Sequence, residues 1–219
     1  MIAGGFPRSS FLPGRYTVAV TNVEAGPAWR ALSSNGRTMT PRSVASDLPQ
    51  SQVRDLIAEL EAAKSAFQSV ADGLPESSWT KPSSNPQWTN GHVLFHITLA
   101  FLLLPYLFPM ALVFGRLPPL FSRVLAGLLD LGTGIFNWVN GVGPRAAGSY
   151  YSRDRLLRKY DSLHSHAVKT LSSLDPSELK RGMFYPHKWD PMFRDFMTLS
   201  DVFRYPAIHM EHHLSQVIP

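Results

Sequence analysis

Apolar residues recur at spacings of three and four along a segment that begins near residue 50, which is the pattern of an amphipathic helix. The recurring positions are Val53, Leu56, Ile57, Leu60, Ala63, Phe67 and Val70. The pattern predicts a helix over residues 50–72. Pro49 fits its first turn, where a missing backbone N–H costs nothing, and Gly73 is a typical residue to end it.

A second helix is predicted after a polar loop that contains two prolines. Thr89 or Asn90 can cap it, because short polar side chains accept hydrogen bonds from the free N–H groups of a first turn. One face of this helix carries Val93, His96, Ile97, Ala100 and Phe101.

An uncharged stretch follows, with no Asp, Glu, Lys or Arg between Lys81 and Arg116. Its part over residues 93–114 is long enough to cross a bilayer. Pro105 and Pro109 are expected to break its far half, because proline disrupts a helix interior. We therefore expect a buried bundle helix followed by an apolar helical insertion, with a membrane span as the alternative.

Two further helices are predicted in the second half of the chain. Ser152 can cap a helix over residues 153–174, and a loop rich in aromatic residues occupies 183–196. Thr198, with an aspartate three residues later, has the pattern of a capping box. The last helix is predicted to run from there to Val217.

These elements predict an all-α fold, since no β–α–β alternation is visible. We expect an up-down-type four-helix bundle over residues 48–219, with the apolar helical insertion around 102–141. Residues 1–47, rich in Gly, Pro, Ser and Arg, are predicted to form a disordered extension or a targeting segment. A mitochondrial transit peptide and a natural start at Met39 are the alternatives.

The charge distribution and the absence of cysteine exclude some kinds of binding site. The net charge is +5, but the first 45 residues hold five arginines and one acid, so they contribute +4 and leave about +1 for the rest. The folded part therefore lacks the basic face that nucleic-acid binding needs, and no nucleic-acid partner is expected. There are no cysteines, so a transition-metal site must use histidine and carboxylate ligands.

The segment 209–216, with the sequence HMEHHLSQ, carries the chemistry. His209 and His213 are four residues apart, which places them on one face of a helix. His209 and His212 form a competing pair at a spacing of three. The first pair is favoured because it lies on the inward line of Val202, Pro206 and Gln216.

A metal site also needs a ligand from another helix. The candidates are His92, His96, His164, His166 and His187. His96 lies on the apolar face of the second helix, yet spacing alone leaves the choice open. Asp190, Glu211 and His92 are weaker candidates for a fourth ligand, so an open coordination position is expected, as in catalytic rather than structural zinc sites.

Two motifs resemble a known family. Residues 88–96 read W-T-N-G-H-V-L-F-H, and M-T at 197–198 precedes the HMEHHLSQ segment. Over about residues 50–217 the chain resembles the DinB/YfiT-like superfamily, in a fungal-type branch. The resemblance implies a four-helix bundle with one histidine on the second helix and an HxxxH pair on the last. Carried over residue by residue, the implied metal ligands are His96, His209 and His213.

Three neutral imidazoles suit Zn²⁺, Ni²⁺ or Fe²⁺. Bacterial members of the family include thiol-dependent transferases and a mycothiol-dependent isomerase. The resemblance therefore implies a metal-dependent transferase or hydrolase that acts on a small molecule, with a thiol as one candidate substrate. The alternative is a non-catalytic metal-binding protein or a membrane-peripheral one.

Catalytic residues are not assigned by the sequence. Tyr185, His187 and Asp190, in the aromatic loop, are candidates for proton transfer. We expect a cytoplasmic protein, with mitochondrial or membrane-associated locations as alternatives. Contact with a membrane through the apolar insertion and a homodimer are further alternatives that the sequence leaves open.

Overall fold

The computed structural model describes residues 41–219, and within them the chain is mainly helical. The α-helices are α1 (Pro41–Gly73), α2 (Asn90–Phe114), α3 (Pro119–Leu131), α4 (Thr133–Gly148), α5 (Arg153–Ser173) and α6 (Leu199–Leu214). Two short 3-10 helices span Glu76–Ser78 and Pro176–Lys180. Strands β1 (Gly182–Phe184) and β2 (Phe196–Thr198) pair antiparallel, with Met183 opposite Met197. The predicted all-α class is confirmed.

Helices α1, α2, α5 and α6 form the bundle. Both α1 and α2 pack against α5 and α6, which places α1 and α2 at opposite corners. The spacings of three and four seen in the sequence put the same apolar side chains inside. Fully buried members of the core include Leu56, Leu60, Phe67, Ile97, Phe101, Tyr160, Leu171 and Phe203.

The first helix begins earlier than predicted. It starts at Pro41 rather than near residue 50, so Pro49 lies inside α1 and not in its first turn. A proline removes one backbone N–H and crowds the preceding turn, which costs stability but does not exclude a helix. Of the predicted extension over 1–47, residues 41–47 therefore belong to α1, and residues 1–40 lie outside the described part.

The second helix is continuous, so the predicted break at Pro105 and Pro109 is wrong. Two interior prolines cost about 3 kcal/mol each in an isolated helix. Here α2 packs against α4, α5 and α6, and its buried residues Leu104 and Ala111 flank the prolines. The packing of α2 against these helices outweighs the local cost.

In the described chain, α2 is the one helix that is by itself long and apolar enough to cross a membrane. Together, α3 and α4 pass the same test only as a pair bent by 64°. A bundle helix that packs against several others can have this composition as well, and in α2 33% of the apolar window is buried. The predicted insertion around 102–141 comprises the end of α2, all of α3 and the first half of α4.

The predicted starts of α2, α5 and α6 are confirmed. The Thr89 hydroxyl accepts a hydrogen bond from the His92 N–H and so caps α2. Thr198 caps α6 with Asp201 in a capping box, and Ser152 occupies the cap position of α5 without a side-chain hydrogen bond. The last helix ends at Leu214, three residues before the predicted end.

Candidate metal centre

Three histidine rings meet where α2 and α6 pack together. His96 comes from α2, and His209 and His213 come from α6, where their spacing of four places both rings on the face towards α2. One ring nitrogen of each lies within 4.8 Å of the others. The ring centroids are 4.9 Å apart for His96 and His209, and 4.5 Å apart for His96 and His213.

The three rings are held in their neutral form by burial. His96 and His209 are 4% and 3% exposed. Burial, assisted by the neighbouring imidazoles, lowers the pKa of His96 to about 3 and that of His209 to about 2. Burial also lowers the pKa of His213. At neutral pH each ring therefore keeps a nitrogen lone pair that can bind a cation.

The hydrogen bonding of these rings is incomplete. The Nδ1 atoms of His96, His209 and His213 are buried without a hydrogen-bond partner among residues 41–219. Buried polar atoms in proteins are nearly always paired, so three unpaired nitrogens in one cluster need an explanation. A divalent metal ion would provide it, since neutral imidazole is a common ligand for such ions. The donor set fits a metal ion, and the group could hold one.

Asp190, in the loop between the two strands, lies beside the cluster. Its Oδ2 is 3.7 Å from His209 Nε2 and accepts a hydrogen bond of 2.8 Å from the Tyr205 hydroxyl. Its Oδ1 accepts a second hydrogen bond from the Met192 N–H at 2.7 Å. Asp190 does not belong to the group of ligand atoms within 4.8 Å of one another, so it neighbours His209 without closing the site.

A model of the DinB superfamily matches residues 59–217, well over half of the chain. The chain belongs to the DinB superfamily. No curated protein and no solved structure matches it. The family assignment therefore rests on this match, and the histidine cluster of this DinB protein lies inside the matched residues.

The other histidines of this DinB protein are engaged elsewhere. The Nδ1 atom of His92 accepts a hydrogen bond from the Thr89 N–H, and its Nε2 lies 3.0 Å from Ser149 Oγ. His164 Nε2 lies 3.1 Å from the Leu60 carbonyl oxygen, between α1 and α5. His187 pairs with Asp195 and Asp130, and His166 and His212 are exposed. Of the histidines that spacing left open as the third ligand, the structure places His96 beside His209. Of the two histidines that could pair with His209 on α6, it places His213, and not His212, in the cluster.

Trp88 packs against the cluster from the side of α4. Its ring centroid is 4.6 Å from that of His96 and 6.1 Å from that of His213. Its Nε1 donates a hydrogen bond to the Gly141 carbonyl oxygen at 3.3 Å. The indole therefore fixes the His96 ring and ties it to α4, which is a structural role.

Two of the candidates for proton transfer lie elsewhere. The Tyr185 hydroxyl donates to the Leu107 carbonyl oxygen, and burial raises the pKa of this tyrosine. His187 is half exposed and faces Asp130 and Asp195. Of the three candidates, only Asp190 is next to the histidine cluster.

The position of Tyr205 beside the histidine cluster was not predicted from the sequence. Tyr205 lies four residues before His209 and eight before His213, so the helical spacing that pairs the histidines also places the tyrosine on their face. That spacing could have indicated it. Its partner Asp190 lies in an irregular loop, where no periodicity indicates the direction of a side chain.

Proposed function

We propose that this DinB superfamily protein is a metal-dependent enzyme that acts on a small molecule. In this proposal His96, His209 and His213 hold one divalent ion, which is Zn²⁺, Ni²⁺ or Fe²⁺. When bound, such an ion acts as a Lewis acid: it would polarise a substrate and lower the pKa of a bound water or thiol. The observation that carries the proposal is the cluster of three imidazoles, two buried and one partly buried, whose Nδ1 atoms have no hydrogen-bond partner among residues 41–219.

The surroundings of the cluster support a catalytic rather than a purely structural ion. Structural zinc sites usually have four protein ligands, whereas catalytic sites have three and leave a position for the substrate. In the described chain the group of converging ligand atoms contains three histidines. A cavity of about 420 Å³, lined in part by His96 and His209, adjoins them and provides room for a substrate.

Asp190 has the position to move a proton in this site. Its carboxylate is 12% exposed and lines the same cavity as His209. The Tyr205 hydroxyl and the Met192 N–H hold its two oxygens in place. A fixed carboxylate beside a metal site can accept a proton from water or from a thiol during hydrolysis or group transfer. We assign this role to Asp190 as part of the proposal.

The test is metal analysis of the purified protein, followed by activity screens. We expect about one divalent ion per chain, and activity in a screen of ester and amide hydrolysis or of thiol transfer that a chelator abolishes and added metal restores. A protein that takes up no Zn²⁺, Ni²⁺ or Fe²⁺ would refute the proposal. A loaded protein inactive in every screen would favour a non-catalytic metal-binding protein.

A membrane-peripheral role is the second candidate, and a different observation favours it. Large apolar side chains are exposed along α3 and α4. They are Leu120, Phe121, Val124, Leu128, Leu131, Ile135, Trp138 and Val139. Contiguous exposed apolar surface often marks a binding interface. We expect alkaline carbonate to release the protein from membranes, because the prolines and glycines of this apolar region would leave backbone groups unsatisfied in hydrocarbon. Retention in the pellet would favour a membrane span.

A further inference from the structure

The cavity beside the histidine cluster has a mainly apolar wall. It lies between the first half of α2 and α4, and its volume of about 420 Å³ is in the range of small-molecule sites. The apolar part of the wall includes Phe95, Leu99 and Leu103 from α2, and Phe136 and Val139 from α4. Water gains few hydrogen bonds against such a surface, whereas a hydrocarbon gains from leaving water.

The polar groups of the wall are gathered at one end. Asp190 bonds to Tyr205 and lies 3.7 Å from His209, whose ring centroid is 4.9 Å from that of His96. Four of the five polar side chains that line the cavity thus form one contact cluster, and Asn140 on α4 is the fifth. The cavity therefore has one polar end and a larger apolar part.

We propose that this cavity binds a small amphiphile. Its hydrocarbon chain or ring lies between α2 and α4, and its single polar group reaches His96, His209 and Asp190. The position of the polar group rests on the proposed metal site, whereas binding of the hydrocarbon part depends only on the apolar wall. The substrate class of the site is therefore apolar molecules with one polar headgroup.

The entrance to the cavity fits such a molecule. Leu102 and Val139 line the cavity and are 37% and 52% exposed, so the cavity reaches the surface between them. The neighbouring Ile135 and Trp138 on α4 are 74% and 66% exposed. The cavity entrance is therefore flanked by exposed apolar side chains, which suit the entry of an apolar molecule.

Two pairs of variants separate the cavity from the apolar surface. Gly143 on α4 lines the cavity, and a Cβ at this position would meet no atom within 4 Å, so Gly143→Leu can extend a side chain from the cavity wall. Gly134→Leu is its control, since Gly134 lies on the same helix with equally open space but outside the cavity wall. Leucine favours a helix over glycine, so both variants should fold. Val139→Asn at the entrance has Ile135→Asn as its control.

The experiment measures displacement of the fluorescent probe N-phenyl-1-naphthylamine by hexanol, octanol and decanol, in metal-free protein. Each added methylene should raise alkanol affinity about fourfold while the chain is inside the cavity. Gly143→Leu and Val139→Asn should weaken decanol binding at least tenfold, and their controls less than twofold. Equal effects in variant and control would place the binding on the exposed surface and overturn the proposal, as would an affinity that ignores chain length.

A second arm tests the polar end. In zinc-loaded protein, an octyl hydroxamate should bind at least tenfold tighter than octanol, and this gain should vanish without zinc. If alkanols bind but no zinc is taken up, the metal proposal fails while the apolar site stands. If zinc is taken up and binds acetohydroxamate, but octyl hydroxamate binds no tighter, the amphiphile proposal fails while the metal site stands.

Discussion

The Tyr205 hydroxyl donates a hydrogen bond of 2.8 Å to Asp190 Oδ2, and the same oxygen lies 3.7 Å from His209 Nε2. This pair joins the loop between the two strands to α6 at the histidine cluster. Burial is the main reason that the pKa of Tyr205 is raised, and the Asp190 charge adds to it, so the tyrosine remains a hydrogen-bond donor. The carboxylate is therefore fixed beside His209 before any ligand arrives.

Removal of this carboxylate should weaken metal binding. Outer-shell partners of ligating histidines typically contribute 10–100-fold to metal affinity, because they orient the ring. We expect Asp190→Ala to lower zinc affinity by about this factor, as measured by competition with a chromogenic chelator. Asp195→Ala is the control, since the Asp195 carboxyl is 76% exposed, pairs with His187 and does not line the cavity. Equal zinc affinities for Asp190→Ala and wild type would show that Asp190 does not support metal binding.

Replacement of any of the three clustered histidines by alanine should remove most of the bound metal. Each change leaves two imidazoles, so the loss should exceed the 10–100-fold effect of outer-shell changes. His212→Ala is the matched control, because His212 is exposed and adjacent in sequence to His213. Metal content measured on purified variants checks this prediction. If His212→Ala empties the site while His213→Ala does not, the ligand assignment is wrong.

The histidine pair on α6 could be predicted from sequence, because a spacing of four fixes the relative direction of two side chains within one helix. The choice of His96 over His92 could not be made by spacing. It depends on how α2 packs against α6, and on the use of His92 in the cap at Thr89. The family resemblance pointed to His96 where helical periodicity left several histidines open.

Local rules failed where packing overrides them. The prolines of α2 are unfavourable in an isolated helix, and sequence signals therefore predicted a break at Pro105. The surrounding helices stabilise a continuous α2 instead. The cavity was equally invisible to sequence periodicity, because it forms between α2 and α4, whose relative placement no periodicity specifies.

Tyr160→Phe should stabilise the protein. Tyr160 is fully buried and stacks on Phe67 at a centroid distance of 3.9 Å, while its hydroxyl has no hydrogen-bond partner among the described residues. An unpaired buried hydroxyl costs about 1–3 kcal/mol, so its removal should raise the free energy of unfolding by about 1 kcal/mol. Tyr205→Phe should have the opposite effect, since it removes a hydrogen bond to the partly buried Asp190 carboxylate. Urea denaturation of both variants checks the two signs, and a loss of stability in Tyr160→Phe would contradict the prediction.

His164 should make the protein less stable in mild acid. Burial between α1 and α5 is the main reason that its pKa lies below the usual value. The nearby carboxylates of Glu61 and Asp161 and the Leu60 carbonyl act in the opposite direction, and Lys64 adds to the lowering. The ring of Tyr160 packs beside it, with a pKa raised mainly by burial, so this tyrosine stays neutral in mild acid.

The sign of the pH effect follows from this lowered pKa. As pH falls below about 6.5, the unfolded chain takes up a proton at residue 164 that the folded chain resists. The free energy of unfolding therefore decreases towards acid, by at most about 1.4 kcal/mol per pH unit for one group. Above that pH this contribution is fully present and constant.

The measurement is urea denaturation of metal-free protein between pH 7.5 and pH 5, at intervals of about half a unit, for wild type and two variants. Such a slope reports the difference in bound protons between the two states. In His164→Gln the titrating ring is gone, so its stability should fall less steeply towards acid than that of wild type. The exposed His166 on the same helix provides the control, and His166→Gln should keep the wild-type slope. If His164→Gln also keeps that slope, the buried imidazole is not the group that resists protonation, and the acid sensitivity arises elsewhere in the bundle.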